Sequence, residues 1–272
     1  MKSANIPETH ITVGSHQLFV KQIKCFPENT EKPVLVFLHD SWGCTEMWDG
    51  FPEKLVEISG LNALIYDRHG YGKSSSFAIA KRTNHYLHDE AEELIHLLDI
   101  LKIKKVVLYG HSDGATIALI AAALYPERIA GLLVEGPHCF VEKICQNEVR
   151  KSRDRAQHNN LLKNLEKFHG NKSSELFRLW HETWLCDEFS KRWSIVPLLK
   201  SIRIPVLAFQ GENDEFGTIE QLNTLRKEIS SEITVVEITN AKHTPRKEAE
   251  NETMEWIKNY FSLISLLKKR VT

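Results

Sequence analysis

The segment that most constrains this 272-residue chain is the turn over residues 110–115, Gly-His-Ser-Asp-Gly-Ala. The preceding residues 105–109, Lys-Val-Val-Leu-Tyr, have the β-branched, apolar composition of a buried strand. Residues 116–124 are apolar on every side and end close to Pro126, which predicts a buried helix stopped by proline. A Gly-x-Ser-x-Gly segment between a strand and a helix makes a crowded turn that exposes the serine hydroxyl. Because a helix N-terminus also favours negative charge, Ser112 is predicted to be a nucleophile.

The composition is that of an ordinary globular protein and argues against several classes. Apolar residues make up 42% of the chain and charged residues 26%, and the net charge of −1 gives no basic surface for nucleic acid. Five scattered cysteines form no C-x-x-C pair, which argues against a disulfide framework or a structural zinc site. The N-terminus lacks a signal-peptide pattern and no stretch reaches membrane-spanning length. A cytoplasmic protein that does not bind membranes is expected.

Strand-like and helix-like segments alternate along most of the chain, which is typical of a parallel sheet covered by helices on both faces. A hairpin is predicted around residues 14–15. Further strands are predicted at residues 34–38, 63–66, 105–109, 130–134, 205–210 and 234–238. Helices are predicted at residues 47–59, 87–101, 116–124, 219–229 and 247–269. The expected fold class is α/β.

The alternation breaks after residue 137 for some sixty residues of helical, polar and tryptophan-bearing sequence. We therefore expect a core made of residues 1–137 and 201–272, with residues 138–200 inserted over the sheet as a helical lid. One face of a lid helix carries aromatic residues at i, i+3 and i+7. Packing of the lid on the sheet is the plainer interpretation, but packed aromatic residues there would also roof an apolar pocket. The residues expected to contact substrate are Trp42, Phe177, Trp180 and Trp184.

A serine hydroxyl needs a base to remove its proton and a group that orients the base. In open α/β sheets such groups lie beyond the carboxyl ends of the strands. Asp214 follows the predicted strand at residues 205–210, and His243 follows the strand at residues 234–238. The chain order Ser112, Asp214, His243 is one in which a catalytic triad occurs on this architecture. A turn carboxylate and a solvated loop histidine are the alternatives, but they do not explain why all three positions agree.

Two backbone N–H groups are predicted to bind the oxyanion of the reaction. One belongs to Asp113, the residue after the nucleophile. The second is expected in the loop after the strand at residues 34–38, with Ser41 favoured over Trp42. The Asp113 side chain is expected to cap its own helix rather than to act as the triad acid.

Together these motifs resemble the α/β-hydrolase superfamily, in particular the branch with small carboxylesterases, C–C bond hydrolases and cofactor-free haloperoxidases. The resemblance covers roughly the whole chain and is least specific in the lid. The segments that carry it are residues 39–43, 66–74 and 110–114, Gly211 with Asp214, and His243. The family usually has glycine at the position of Asp40, and that glycine often needs a backbone angle that other residues avoid. This departure bears on the placement of the second oxyanion donor.

The residues and the resemblance together predict a serine hydrolase that cleaves small carboxylic esters through an acyl-enzyme, with no metal and no organic cofactor. Lactone, C–C bond, amide, and acyl-carrier or methyl ester cleavage, as well as perhydrolysis, remain open on the same triad. A ligand-binding receptor that kept the fold and lost turnover is the alternative outside enzymes, and the complete triad counts against it. The sequence does not indicate an oligomeric state.

Charge is uneven along the chain. Residues 137–200 contain 12 Lys and Arg against 8 Asp and Glu, a net +4, while the rest carries 23 against 28, a net −5. The basic residues concentrate at residues 150–155, Arg-Lys-Ser-Arg-Asp-Arg. A solvated helix face is the plainer interpretation of this basic run, and docking of an anionic substrate or an acidic carrier protein is the sharper one.

Other polar residues have plain interpretations. His85 and His88 are spaced like metal ligands, but no third ligand completes a site, so an exposed helix start is predicted. Arg68 is expected to brace or solvate a loop beside the site. His111 and Glu135 are expected to support the site or its packing.

Overall fold

One nine-stranded sheet organises the chain in a computed structural model that describes residues 3–5, 8–25, 32–156 and 158–269. The strands are β1 Ser3–Asn5, β2 Thr9–Val13, β3 His16–Cys25, β4 Val34–Leu38, β5 Ala63–Tyr66, β6 Val106–His111, β7 Ile129–Glu135, β8 Val206–Gly211 and β9 Ile233–Ile238. Their order is β1-β3-β5-β4-β6-β7-β8-β9, with β2 paired to β3. From β5 to β9 neighbouring strands are parallel, whereas β3 is antiparallel to β5. The predicted hairpin is confirmed as β2 and β3.

Helices cover both faces of the sheet, which confirms the predicted α/β architecture. The helices are α1 Phe51–Ser59, α2 Tyr86–Ile100, α3 Asp113–Leu124, α4 Lys143–Ala156, α5 Leu161–His169, α6 Ser173–Leu185, α7 Asp187–Arg192, α8 Val196–Leu199, α9 Ile219–Glu228, α10 Pro245–Glu248 and α11 Glu250–Lys269. Apolar side chains of α2, α3 and α9 pack on one face, and those of α1 and α11 on the other. Among the described helices, none is both long and apolar enough to cross a membrane.

Two predicted helices are interrupted in the structure. The helix predicted at residues 47–59 is a 3₁₀ turn, Thr45–Trp48, followed by a break and then α1. Asp49 and Gly50 both have positive φ angles, 51° and 76°, which a continuous helix cannot accommodate. The predicted closing helix is likewise split, because the short α10 ends at Glu248 and α11 begins at Glu250, with Ala249 between them.

The segment between β7 and β8 consists of five helices, α4 to α8. Its two ends meet at its base, where Phe140 and Ser194 form an antiparallel bridge and the Ile195 N–H donates to the Cys139 carbonyl at 2.8 Å. Helix α6 reaches the loop after β4, with the Trp180 and Trp42 rings 4.6 Å apart. This paired base supports the proposed division into a core of residues 1–137 and 201–272 and a lid of residues 138–200.

Candidate active site

Ser112 lies at the sharp turn between β6 and α3 in a strained conformation. Its φ of 55° and ψ of −118° are uncommon for any residue with a side chain. The two flanking glycines permit the turn, because a Cβ on Gly110 would lie 2.2 Å from the Gly114 carbonyl oxygen. A Cβ on Gly114 would lie 2.0 Å from the carbonyl oxygen of Leu38. The turn holds Ser112 in the wall of a cavity at the carboxyl end of the sheet.

The structure joins Ser112, His243 and Asp214 in one chain of hydrogen bonds. The Ser112 hydroxyl lies 2.9 Å from His243 Nε2, to which it can donate its proton. His243 Nδ1 lies 2.9 Å from each oxygen of the Asp214 carboxylate, so the imidazole donates on that side. The tautomer with a free Nε2 lone pair facing the serine is the one that a general base requires.

The neighbouring carboxylates do not compete for the position of Asp214. Asp214 is itself oriented by the Phe216 N–H, which donates to Oδ1 at 2.8 Å. The exposed Glu212 accepts a hydrogen bond from the Asn240 N–H instead. Glu215 lies in the wall of the cavity and not against His243 Nδ1.

The electrostatics of the pair favour proton transfer to His243. Burial alone would lower the pKa of His243, but the charge and hydrogen bond of Asp214, followed by the charges of Glu215 and Asp40, raise it above 6.5. Burial alone would raise the pKa of Asp214, and the facing His243 outweighs this and lowers it. An imidazolium formed at this position is therefore stabilised.

The backbone N–H groups of Ser41 and Trp42, in the loop after β4, differ in whether they are already bonded. The Trp42 N–H donates to Asp40 Oδ1 at 2.8 Å and is thereby occupied. The N–H groups of Ser41 and Asp113 have no partner in the part of the chain that the structure describes. Asp40 is not among the described residues with positive φ, so the aspartate causes no backbone strain where the family has glycine. This geometry supports Ser41 over Trp42 as the second oxyanion donor.

One expectation about a side chain beside the elbow is corrected, and one for its neighbour Arg68 is met. The Asp113 carboxylate does not cap α3; it accepts a hydrogen bond from the Tyr86 hydroxyl at 3.2 Å and lies 4.0 Å from the Arg68 guanidinium. Asp113 and Arg68 are both fully buried, and a buried cation is costly unless a carboxylate lies close to it. Of the two roles expected for Arg68, the structure shows the brace: its guanidinium donates to the Asp40 carbonyl at 2.9 Å.

A polar bridge that the sequence did not reveal connects the loop after β4 with His243. His111 Nδ1 lies 3.3 Å from Asp40 Oδ2, and Nε2 lies 2.9 Å from the His243 carbonyl oxygen. A carbonyl and a carboxylate only accept, so each ring nitrogen of His111 faces a hydrogen-bond acceptor. Burial would raise the pKa of Asp40, but the bonds from His111 and Trp42 hold it well below its usual range. His111 thus supports the site, as expected, by linking Asp40 to the His243 carbonyl.

The cavity above the triad has a volume of about 190 Å³. Trp42, Trp180 and Trp184 line it, as expected from the sequence. Phe177 is absent from the described lining, which corrects its expected contact with substrate, because its ring packs behind Trp42 and Trp180 at 5.9 and 5.7 Å. Sequence reasoning also missed His138, although its position just after β7 is a signal of the kind that identified Asp214.

One cluster outside the cavity has the composition of a metal site but not its geometry. Ligand atoms of His16, His69 and Glu93 lie within 4.8 Å of one another. The two imidazole rings are stacked 3.8 Å apart at 7°, so their in-plane lone pairs run along parallel planes. A single ion cannot lie in both planes, and the cluster is better described as a His16–Glu93 contact with a stacked neighbour. His85 is exposed at the start of α2, as predicted.

Comparisons with curated proteins find partial matches to hydrolases. "Epoxide hydrolase 4" of Mus musculus is 33% identical over 120 residues, which cover 43% of this chain and 32% of that protein. The "sn-1-specific diacylglycerol lipase ABHD11" of Danio rerio is 30% identical over 109 residues, covering 40% of this chain and 33% of that protein. The chain thus matches about a third of the length of these relatives.

Comparisons with solved structures and family models cover more of the chain. The 2-hydroxy-6-oxo-6-phenylhexa-2,4-dienoate hydrolase of Rhodococcus sp. strain RHA1 superposes with a TM-score of 0.75 at 15% identity, over 96% of this chain and 100% of that one. This likeness concerns the fold. Residues 33–192, more than half of the chain, match the family model of the alpha/beta hydrolase fold. With the sheet order and the elbow between β6 and α3, this match shows that the chain belongs to the alpha/beta hydrolase fold family.

Proposed function

We propose that this protein is a serine hydrolase that cleaves carboxylic esters through a covalent acyl-enzyme. The observation that carries the proposal is the chain of 2.9 Å contacts from Asp214 through His243 to Ser112, which opens onto a cavity. A ligand-binding receptor has no use for a serine whose hydroxyl faces an oriented base.

The proposed reaction has two halves on the same three residues. His243 Nε2 takes the Ser112 proton while Oγ attacks the ester carbonyl, and the oxyanion accepts hydrogen bonds from the N–H groups of Asp113 and Ser41. Each such donor contributes about 3–4 kcal/mol in well-studied cases. The leaving alcohol takes its proton from His243, and a water deprotonated by His243 then releases the acid. These steps need no metal and no organic cofactor.

The nucleophile type argues against epoxide opening, the activity in the names of several relatives. Attack of a serine oxygen on an epoxide carbon gives an ether, which water does not cleave under these conditions. Attack on an acyl carbon gives an ester, which the second half of the reaction hydrolyses. The adjacent carboxylate of Asp113 is fully buried against Tyr86 and does not line the cavity.

Lactones, methyl or acyl-carrier esters, amides and C–C bonds remain alternative substrates on the same triad. The small cavity favours a short acyl group or ring bound against Trp42, Trp180 and Trp184. The basic run of residues 150–155 gives little support to a carrier protein, because its cations contact acceptors within their own helix. A small-molecule ester is therefore the substrate class that we propose.

A nitrophenyl ester series of rising acyl length, run beside a lactone and a peptide amide, tests the proposal. We expect turnover of short esters and labelling of Ser112 by a fluorophosphonate probe, both lost in Ser112→Ala with the fold unchanged by circular dichroism. Ser201→Ala, on an exposed turn, is the matched control and should keep both activities. Labelling at another serine, or turnover that survives Ser112→Ala, would contradict the assignment.

A further inference from the structure

The cavity wall contains buried polar atoms that lack partners. Glu215 Oε2, His138 Nδ1 and Trp42 Nε1 are buried and have no hydrogen-bond partner among the described residues. All three residues line the cavity. Buried polar groups are nearly always satisfied, so an unsatisfied set in one cavity wall indicates a ligand that completes it.

The charge in this wall is negative. Its acidic residues outside the triad are Asp40 and Glu215, and no Lys or Arg is found in the described lining. Asp40 is balanced by the Trp42 N–H and by His111. Glu215 has no ion pair within the described ranges, so it is the anion of the wall that lacks a counter-charge.

The nearest basic side chains do not supply that counter-charge. Arg150 and Lys151 share a neighbouring surface depression with Glu215. The Arg150 guanidinium instead contacts the side-chain oxygens of Asn147 and Gln146, at 3.3 and 3.2 Å. Lys151 pairs with Glu148 at 3.1 Å.

The remaining wall is aromatic. Trp42, Trp180, Trp184 and Phe216 line the cavity, and the Phe216 ring centroid lies 4.8 Å from that of His243. The negative faces of aromatic rings attract cations, most strongly where water is excluded. A carboxylate beside several aromatic rings has the chemistry that binds an organic ammonium group.

We infer that this cavity binds substrates that carry an organic cation, with Glu215 and the tryptophan walls as the ammonium subsite. The inference extends the proposed function, on which it depends for the hydrolytic step but not for binding. Because Glu215 and Phe216 directly follow the triad residue Asp214, the ammonium group would lie within a short spacer of the scissile carbonyl. The opposite prediction is that the basic run of residues 150–155 attracts an anionic substrate.

Binding is tested first, without turnover. Choline and its uncharged isostere 3,3-dimethyl-1-butanol are titrated into the full chain, with tryptophan fluorescence and calorimetry as readouts. We expect choline to bind at least about tenfold more tightly than the alcohol, since the two differ in charge but hardly in shape. Glu215→Gln should remove most of this ratio, while Glu57→Gln, an exposed residue on α1, should leave it unchanged.

The hydrolytic arm uses acetylthiocholine and 3,3-dimethylbutyl thioacetate, with the ratio of their kcat/KM values as readout. Equal binding of choline and its isostere, no binding of either, or a ratio that survives Glu215→Gln would overturn the inference, whatever the turnover. Tighter binding of the anionic isostere 3,3-dimethylbutanoate would overturn it in favour of the basic run. Glu215-dependent choline binding without turnover of either thioester would uphold the subsite, and the nitrophenyl ester series would decide the proposed function separately.

Discussion

Ser112, His243 and Asp214 are each held by contacts that leave one atom free for the reaction. The elbow fixes the Ser112 backbone and places Oγ against His243 Nε2. Asp214 occupies Nδ1 of His243 and leaves Nε2 to the serine. The proposed reaction therefore depends on the Nε2 lone pair of His243 and the hydroxyl proton of Ser112. Substitutions that change single atoms test this dependence.

Asp214→Asn replaces one oxygen by an N–H donor and so favours the wrong tautomer of His243. We expect kcat to fall by roughly four orders of magnitude while substrate binding changes little. Glu212→Gln alters a carboxylate in the same loop that bonds to the Asn240 N–H instead, and should keep near-normal kcat. Steady-state kinetics with an ester measure kcat for both variants. A loss of kcat in Glu212→Gln with near-normal kcat in Asp214→Asn would assign the acid to Glu212.

The pH dependence follows from the raised pKa of His243. The base works unprotonated, so kcat/KM for a neutral ester should rise with pH through a midpoint above 6.5. Glu215 contributes to the upward shift, so Glu215→Gln should move the midpoint down. A pH–rate profile of both proteins measures this, and a midpoint at or below 6.5 in the unmodified protein would refute it.

Loops and short helices bring these residues together, and one buried ion pair fastens them. The Glu135 carboxylate at the end of β7 accepts hydrogen bonds from the Arg246 guanidinium and, at 2.8 Å, from the Arg246 N–H of α10. The Glu135 carbonyl also accepts the Ser112 N–H at 2.9 Å. One strand end therefore positions the elbow and the segment that follows His243.

Glu135→Gln should destabilise the fold because it leaves the buried Arg246 charge unpaired. The expected loss is about 3–5 kcal/mol of unfolding free energy, measured by urea denaturation at neutral pH. Burial would raise the pKa of Glu135, but Arg246 lowers it, so the contribution is present at neutral pH and lost as pH falls. Asp187→Asn breaks a solvent-exposed pair and should leave the urea midpoint unchanged.

Elements and triad positions were predictable from the sequence because they depend on local patterns. Apolar runs predict the parallel strands, and the Gly-x-Ser-x-Gly spacing predicts the elbow. The helix break at Asp49 and Gly50 was not predicted, because both residues have a positive φ. The spacing of apolar residues carries no information about a backbone angle at an aspartate. The Asp40–His111–His243 bridge was missed because it joins a strand end to two loops that are distant in the chain. Such contacts exist only once the sheet has brought strand ends together.

At the scale of the whole molecule, the excess positive charge of the lid lies on its surface, whereas the acidic residues Asp40 and Glu215 line the cavity beneath it. The cations of the basic run contact acceptors within their own helix, which makes this face a solvated surface. The basic run could then act on an anionic substrate only by long-range attraction. Salt suppresses such attraction, because the Debye length shrinks from about 10 Å at 0.1 M to about 3 Å at 1 M.

Raising salt from 0.1 to 1 M should change kcat/KM for an anionic and a neutral short ester by the same factor, within about twofold. Charge reversal of Arg150, Lys151, Arg153 and Arg155 to glutamate should not separate the two substrates either. Stopped-flow or steady-state kinetics with matched esters measure this. A selective loss for the anionic ester at high salt would show that the lid attracts anions.

The positive φ of Ser112 also has a consequence for how such a chain changes over generations. Glycine adopts that conformation without strain, whereas serine holds it at a cost of about 1–3 kcal/mol. Selection for thermal robustness alone would therefore replace the nucleophile and leave a sturdier, inert scaffold. The strain that serine carries at this elbow therefore supports the proposed chemistry, because the backbone alone would favour glycine.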